Sequence, residues 1–282
     1  MRHIPKEWLK QFSDYQIANF PTWWDKAVTE WNSENFNNSI WSMSASGYFV
    51  RSGKTFFAVD PVWLLPGAFD KLLPRLTEDL KNLRYIILTH DHADHFNPKH
   101  HAHLKELNIK WLVPTCMREA FLKAQIPQEK TVWLNDGDIY EDENIKVWAH
   151  LGMHHYLGTT EGPDSLMYFV ETSEKRIFFP SDARDFRLEF LPRHENIDAT
   201  IFHVYLDLDF PDNYPFETFY MDVVKYLTAI DTKKLFFGHL YSFFSGANLW
   251  HYMHSGILKD AMTCLKPEVE VQDLMIAHRY EL

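Results

Sequence analysis

The chain has 282 residues, of which 46% are hydrophobic and 16% aromatic, which suffices for one large domain with a substantial core. Its formal net charge of −11 repels nucleic-acid phosphates and anionic membranes at long range. We therefore expect a small-molecule substrate, no nucleic acid and no membrane insertion, although a local basic patch could override this repulsion. The chain has only 10 glycines and neither G-x-G-x-x-G nor G-x-x-x-x-G-K-[ST], which disfavours a nucleotide-cofactor fold.

Cysteine usage and the N-terminus bear on the compartment. Cys116 and Cys264 form no C-x-x-C pair, and we expect two lone, buried thiols rather than a disulfide framework. The first residues contain no apolar segment of a secretory signal, and no apolar run approaches the length of a transmembrane helix. These features predict a soluble cytoplasmic protein. They do not determine the oligomeric state, and a homo-oligomer is possible.

The chain begins with a helical pattern over residues 6–34, interrupted at Pro21-Thr22. We expect residues 1–34 to form an N-terminal helical extension of a single domain that spans residues 1–282. Trp23, Trp24 and Trp31 could line a ligand cleft, but such a stripe more often packs in a core.

Three strands are predicted next, over residues 39–43, 47–51 and 55–59, and a helix over residues 72–83 follows. Asp60 comes directly after the third strand. An acid in this position either caps the next turn or orients metal ligands through a hydrogen bond.

The stretch from Arg84 to Phe96 contains the densest group of candidate metal ligands. An apolar strand, Tyr85–Leu88, is followed by His90-x-His92-x-Asp94-His95. Imidazole and carboxylate are suitable ligands for a borderline divalent metal. His90 and His92 are two residues apart and point to the same side, whereas Asp94 and His95 point to different sides. One short segment can therefore serve two neighbouring metal positions.

A second group of histidines follows at once, in a helix predicted to start at Asn97-Pro98. His100, His101 and His103 could form a third metal tract, but polar residues early in a surface helix are the commoner explanation. The chain then continues with a strand over 110–114, a helix over 115–124, a strand over 131–134 and a turn at 135–138.

Further candidate ligands follow predicted strands in the second half of the chain. An alternating strand over 145–149 runs into His150, His154 and His155. A hairpin over 166–171 and 176–180 ends in Ser181-Asp182, and a strand over 234–237 ends in Gly238-His239. The other predicted elements are a strand over 199–204, a helix over 216–229, a helix over 250–264 and strand material over 269–280.

This combination of motifs resembles the metallo-β-lactamase superfamily. The residues alone support a mixed α/β or α+β fold, and the resemblance implies a four-layer αββα sandwich of class α+β. It implies that His90, His92 and one later histidine hold a first metal, that Asp94, His95 and His239 hold a second, and that Asp182 bridges the two. It also implies that Asp60 supports the histidine loop.

The third histidine of the first metal is open among three candidates. Gly152 supplies a bend after the strand, and His154 then stands where the superfamily ligand normally falls. We expect His154 to be the ligand, with His155 and His150 as alternatives.

The chemistry implied is that of a metal-dependent hydrolase. A dication lowers the pKa of bound water from about 15.7 to near 7, and two ions about 3.5–4 Å apart generate hydroxide and polarise a substrate oxygen. Asp94, His155 or a second metal-bound water could give a proton to the leaving group. Zinc is the default for this ligand set, and manganese or iron(II) fits the same groups.

Within the superfamily, the chain resembles the L-ascorbate-6-phosphate lactonase-like branch through Phe20-Pro21-x-Trp23, Gly47-Tyr-Phe-Val, Phe57-Ala-Val-Asp60 and Leu235-Phe-Phe-Gly-His239. It departs from that branch in a short segment after Asp60 and in Ser181, where a glycine is usual. Arg184 could hold a substrate phosphate or carboxylate, or pair with Asp185.

We expect a lactone or related ester of a small molecule as the substrate. The alternatives are a phosphodiesterase acting on a nucleotide or phospholipid-type substrate, and a non-catalytic metal-binding module. A diiron redox protein of this fold is disfavoured, since that class usually has an acid where His92 stands and a fused flavin domain.

Overall fold

A computed structural model describes residues 6–43, 46–62, 68–154, 162–204, 216–240 and 248–282, and this part of the chain contains two seven-stranded sheets. The first sheet consists of β1 (Asn38–Ser42), β2 (Tyr48–Ser52), β3 (Thr55–Val59), β4 (Tyr85–Ile87), β5 (Lys110–Pro114), β6 (Thr131–Leu134) and a late strand, Arg279–Glu281. The second consists of β7 (Ile139–Glu141), β8 (Ile145–Gly152), β9 (Ser165–Thr172), β10 (Arg176–Phe179), β11 (Ile197–His203), β12 (Thr232–Gly238) and β13 (Glu270–Asp273). The late strand is β14.

The helices are α1 (Lys6–Trp31), α2 (Ala68–Leu72), α3 (Leu76–Asp79), α4 (Pro98–Ala102), α5 (Arg118–Leu122), α6 (Phe216–Ala229) and α7 (Asn248–Leu265). None of the described helices is both long and apolar enough to cross a membrane. The two sheets with helices on their outer faces form the four-layer αββα arrangement of class α+β that the resemblance implied.

The strand sequences explain this layering because successive side chains point to opposite faces. In β1 and β3, Ile40 and Phe57 face the second sheet and join the cluster buried between the sheets. Their neighbours Trp41 and Ala58 face outward and join the cluster under the helices. Both faces of these strands are therefore covered, as expected for near-continuous apolar runs.

The order and direction of the strands place several strand ends along one edge. The first sheet has the order β14-β1-β2-β3-β4-β5-β6, and the second β13-β12-β11-β10-β9-β8-β7. β3 and β4 are parallel, and so are β10, β11 and β12. β8 and β10 each pair antiparallel with β9 and therefore share one direction. The segments that follow these strands carry most of the candidate ligands.

The N-terminal helix is continuous, and the predicted interruption at Pro21 is wrong. Proline removes one backbone donor from a helix, and the helix here tolerates that loss because its apolar side packs on the first sheet. Phe20, Trp24 and Trp31 are almost fully buried in the outer cluster, so the tryptophans Trp24 and Trp31 are core residues rather than the lining of a cleft. Arg51 fixes the end of the helix by donating to the carbonyls of Trp31 and Ser33.

Other boundaries differ from the sequence prediction. The single helix expected over 72–83 is two short helices, α2 and α3, on either side of Pro74, which disfavours helical backbone at the preceding residue. The helix expected over 115–124 is a 3₁₀ turn, Thr115–Met117, followed by α5. The prediction of buried thiols is wrong, because Cys116 lies in that turn and Cys264 near the end of α7, and both residues are exposed.

Candidate metal centre

The segments after β4, β8, β10 and β12 bring histidines and acids from distant parts of the sequence together. Two groups of side chains have potential ligand atoms that all lie within 4.8 Å of one another. One group is His90, His92 and His154. The other is His95, Asp182, His203 and His239. Both stand at the edge where these strands end, so the fold positions them without distorting a strand interior.

The first group matches the set expected for the first metal. The rings of His90 and His92 have centroids 4.6 Å apart, and His154 lies 4.7 Å from His90 and 4.9 Å from His92. His154 Nε2 is 3.3 Å from His92 Nδ1. His90 and His154 are buried, whereas His92 is half-buried at the open side of the group.

The second group contains three of the residues expected there and one that was not. His95 Nε2 lies 3.2 Å from Asp182 Oδ2, and His203 Nδ1 lies 2.6 Å from Asp182 Oδ1. Asp94 is outside this group, but its Oδ2 lies 3.1 Å from His239 Nε2. His203 was not among the expected ligands, although it is a histidine at the carboxyl end of an apolar strand, the same signal that marks His239.

Asp182 lies between the two groups, and one of its oxygens faces both. Its Oδ2 lies 3.9 Å from His154 Nε2 and 4.0 Å from His90 Nε2 in the first group. The same oxygen lies 3.2 Å from His95 Nε2 and 3.9 Å from His239 Nε2 in the second. Four imidazole nitrogens from three segments of the chain thus surround one carboxylate oxygen.

Asp60 lies behind the histidine loop and is fully buried. Its Oδ2 lies 2.8 Å from His95 Nδ1 and accepts a 2.6 Å hydrogen bond from the Thr89 hydroxyl. Its Oδ1 accepts a 2.8 Å hydrogen bond from the Thr89 backbone amide. These bonds fix the start of the loop and the ring of His95, leaving His95 Nε2 directed at Asp182.

The first group is electrostatically suited to neutral imidazole. Burial, reinforced by the charge of His95, holds the pKa of His90 well below its usual value. Burial also lowers the pKa of His92, and it lowers the pKa of His154 to about 3. Neutral imidazole is the form that binds a metal, so these three side chains are ready to bind without first losing a proton.

The second group is suited to hold positive charge. Burial alone would lower the pKa of His95, but the carboxylates of Asp182 and Asp60 raise it well above its usual value. Asp182 and Asp94 likewise raise the pKa of His239 against the effect of burial. Burial would raise the pKa of Asp182, but the charges of His95 and His239 hold it well below its usual range.

The backbone at the site adopts conformations that cost free energy. Asp60, Ser181 and His239 have φ of 45°, 60° and 57°, a left-handed region that non-glycine residues rarely occupy. Each follows a strand and turns the chain at the ligand-bearing edge. Ser181 therefore adopts the backbone conformation suited to the glycine usual in the lactonase-like branch, and the strained turn directs Asp182 into the site.

The remaining histidine candidates lie elsewhere or outside the described residues. β8 extends to Gly152, so His150 is inside the strand, and its Nε2 lies 2.8 Å from His194 Nε2 on the outer face of the second sheet. His155 lies outside the described residues. His101 is fully buried beside Phe96 and Trp111, with ring centroids 4.8 and 5.8 Å away.

Arg184 lies close enough to the first group to affect it. Burial is the main cause of the lowered pKa of His154. The charge of Asp182 raises this pKa, and the positive charge of Arg184 lowers it. The Arg184 backbone amide donates a 2.6 Å hydrogen bond to the Met153 carbonyl, which ties the segment after Asp182 to the segment that carries His154. The Asp185 carboxylate is bound by the Arg187 guanidinium at 2.6 Å.

The donor set fits divalent metal ions. Nε2 of His90 is buried and has no hydrogen-bond partner among the described residues, which is costly unless another atom binds it. Imidazole and carboxylate groups that surround a single buried oxygen are the ligands of zinc and of similar ions. Six of the seven residues expected to hold such ions belong to the two groups, namely His90, His92, His95, His154, Asp182 and His239, and the seventh, Asp94, lies beside His239.

Known proteins resemble this chain in sequence and in fold. The sequence pattern of the Beta-lactamase superfamily domain matches residues 55–240. N-acyl-phosphatidylethanolamine-hydrolyzing phospholipase D 1 of Caenorhabditis elegans is 27% identical over 154 residues, which are 48% of this chain and 43% of that protein. The chain thus matches less than half of the length of this curated relative.

Solved structures show the same fold at low identity. The metallo-beta-lactamase fold protein YhfI from Bacillus subtilis is 15% identical, with 86% of this chain and 99% of that chain covered and a TM-score of 0.60. CmlA, a diiron beta-hydroxylase from Streptomyces venezuelae, is 14% identical, with 88% of this chain and 54% of that chain covered and a TM-score of 0.60. The matched pattern and the αββα sandwich show that the chain belongs to the beta-lactamase superfamily, and its histidine–aspartate groups have the side chains that could hold metal ions.

Proposed function

We propose that the chain hydrolyses a phosphodiester by means of two divalent metal ions, held on either side of Asp182. The observation that carries this proposal is the position of Asp182 Oδ2 between two groups of imidazole nitrogens. His90, His92 and His154 would hold the first ion. Asp94, His95 and His239 would hold the second, and Asp182 would bind both.

The chemistry that bound ions supply is a lowered pKa of water and a positive charge beside the substrate oxygen. The protein must supply the positions and the path of the proton. Asp182 and Asp60 keep the ligand side chains in place through buried hydrogen bonds.

Asp94 is the described residue best placed to move the proton. Its side chain is about a third exposed, at 35%, and its Oδ2 lies 3.1 Å from His239 Nε2. An ionised Asp94 accepts a proton from the attacking water and passes it to the oxygen of the leaving group. His155 is the other candidate for this role.

Two features favour a phosphodiester over other substrates. The curated relative is a phospholipase D by name, an activity that cleaves a phosphodiester. Arg184 carries a positive charge beside the first group, where a guanidinium could bind a non-bridging phosphate oxygen. The acidic net charge of −11 disfavours a polymer with many phosphates and favours a substrate with one or two.

A lactone or related ester is the second candidate, because Gly47-Tyr-Phe-Val and Leu235-Phe-Phe-Gly-His239 resemble the lactonase-like branch. Hydrolysis of a carboxylic ester needs the same activated water, so the metal site serves both substrates. The positive charge of Arg184 beside the first group would favour the substrate that carries a phosphate.

The test is hydrolysis of matched chromogenic substrates by protein loaded with Zn²⁺ or Mn²⁺. Bis(p-nitrophenyl) phosphate reports phosphodiester cleavage, and p-nitrophenyl acetate with a panel of γ-lactones reports ester cleavage. We expect phosphodiester turnover that Asp182→Asn abolishes and Arg184→Ala reduces, while the control His103→Ala, an exposed histidine of the C-cap of α4, leaves it unchanged. Turnover of lactones alone would replace the proposal with the second candidate.

A further inference from the structure

We infer that His203 is a positioning residue that holds Asp182 so that a single oxygen, Oδ2, faces both metal positions. This inference rests on the proposed function, because it assigns a role to a side chain outside the expected ligand set. The two oxygens of the buried Asp182 carboxylate have different partners, Oδ1 contacting His203 and Oδ2 facing the expected ligands.

The contact between His203 and Asp182 is short and buried. His203 Nδ1 lies 2.6 Å from Asp182 Oδ1, and each residue is 4% exposed. At this distance a proton lies between the atoms, and an ionised carboxylate has none to donate, so His203 Nδ1–H is the donor. The nitrogen that touches Asp182 therefore has no lone pair for a metal.

The other oxygen of Asp182 has a different environment. Oδ2 lies within 4.0 Å of Nε2 of His90, His95, His154 and His239, whereas the short contact of Oδ1 is with His203. A carboxylate free to rotate could turn either oxygen toward one group. The hydrogen bond to Oδ1 removes that freedom, so Oδ2 remains equidistant, within 0.1 Å, from His90, His154 and His239.

The ring of His203 is itself held firmly by its surroundings. It lies 5.5 Å from the Tyr48 ring and 5.2 Å from the His239 ring, between centroids. The backbone of His203 pairs with Gly238 of β12. A Cβ added at Gly238 would lie 2.0 Å from the Tyr48 hydroxyl oxygen, so the chain is closely packed here. The Tyr48 hydroxyl in turn accepts a 3.1 Å hydrogen bond from the His239 amide. This packing leaves His203 little room to turn away from Asp182.

A competing role for His203 is that of a metal ligand in place of Asp94, since it belongs to the group of four residues within ligand distance. The hydrogen bond occupies Nδ1, the nitrogen beside Asp182, so only Nε2 of His203 keeps a lone pair for a metal, and the metal stoichiometry of the His203 variants distinguishes the two roles. Asp94, by contrast, has a carboxylate oxygen 3.1 Å from His239 Nε2 and is the acid that the expected set places on the second ion.

The experiment is a titration of metal-free protein with Co²⁺, followed by visible absorption and by isothermal calorimetry. His203→Asn keeps an N–H donor near the position of Nδ1, and His203→Leu removes the donor while filling most of the volume. His95→Ala serves as the reference for loss of a ligand, and thermal unfolding checks the fold of each variant. If His203→Leu fails to fold, His203→Ala replaces it.

We expect the parent protein and His203→Asn to bind two equivalents of Co²⁺ with similar affinity. We expect His203→Leu to bind the same two equivalents roughly 10–100-fold more weakly, the range typical of groups that orient a ligand. Unchanged affinity in His203→Leu would overturn the inference, and so would loss of a full equivalent in His203→Asn, as in His95→Ala. A folded parent protein that binds no Co²⁺ would overturn the proposed function itself, and the inference with it.

Discussion

Two neighbouring stretches of this chain are equally rich in histidine but lie in different environments. After β4, His90 and His95 lie beside a buried carboxylate oxygen of Asp182, and the ring of His92 lies next to that of His90. In α4, a few residues later, His101 packs among aromatic rings, and its Nδ1 bonds to the Asn97 carbonyl at 2.8 Å. The difference lies in what the fold brings opposite each stretch. Asp60 and Asp182 come from other strands to the first, whereas Phe96 and Trp111 meet the second.

The comparison teaches that histidine content alone does not make a metal site. A buried histidine with no carboxylate nearby remains neutral because burial disfavours its charged form. Burial accordingly lowers the pKa of His101 to about 4. The same burial at His95 is outweighed by Asp182 and Asp60.

The largest effect is expected from Asp182→Asn. An amide has no negative charge to offset two dications, and one of its two positions is an N–H group that repels a metal. We expect Co²⁺ affinity to fall more than about 100-fold, beyond the range for residues that only orient a ligand. Calorimetric titration measures this, with His101→Asn as the matched change at a buried histidine. Comparable losses in both variants would contradict the contrast between the two stretches.

Asp60→Asn should have the next largest effect. The amide can still accept one hydrogen bond, but it loses the charge that orients His95 and the Thr89 hydroxyl. We expect Co²⁺ affinity to fall roughly 10-fold to 100-fold while both equivalents still bind. The same titration checks this, and an unchanged affinity would show that His95 needs no support from Asp60.

The pH dependence of stability should reveal the opposite behaviour of His101. Because its folded pKa, about 4, lies below the usual 6.5, the unfolded chain binds the proton more readily. The stability contribution of neutral His101 is complete above pH 6.5, declines as the pH falls toward 4 and then levels off. The loss between pH 7 and pH 4 should reach about 3 kcal/mol at most.

Urea unfolding of the parent protein and of His101→Gln at several pH values measures this contribution as a difference. The free energies of unfolding should converge as the pH falls from 7 to 4. His103→Gln, at the exposed end of the same helix, serves as the control for a histidine substitution in this helix. A constant difference between the parent protein and His101→Gln would mean that His101 is not held neutral in the folded protein.

Ser181→Gly should produce the smallest change, and in the stabilising direction. Ser181 is buried with φ of 60°, a conformation that costs a residue with a Cβ roughly 1 kcal/mol relative to glycine. Part of that gain is offset by the greater freedom of glycine in the unfolded chain. We expect a net gain of up to about 1 kcal/mol in urea unfolding, with unchanged Co²⁺ stoichiometry. Destabilisation would show that the serine hydroxyl contributes a contact of its own.

Much of the architecture could be predicted from the sequence because the relevant signals are local. Apolar runs ending in a histidine or an acid marked β3, β4, β10 and β12, and Asn97-Pro98 marked the start of α4. The resemblance then supplied the order of the layers. The strand β7 was missed because Ile139–Glu141 is short, half exposed and defined only by its pairing with β8.

The parts of the site that could not be predicted depend on distant contacts. His203 is a single histidine at the end of an apolar strand, and only the pairing of β11 with β10 and β12 brings it to Asp182. The pairing of His150 with His194 depends on a segment 44 residues away. Positive φ at Ser181 and His239 likewise follows from the turn that the assembled edge imposes.

The most direct test of the account is the metal content of the purified protein, by elemental analysis, beside that of His92→Ala and Asp182→Ala. The account predicts about two transition-metal ions per chain in the parent protein, and clear losses in both variants. A correctly folded parent protein that takes up no transition metal, even after incubation with Zn²⁺ or Mn²⁺, would contradict the two-metal site on which the proposed hydrolysis depends.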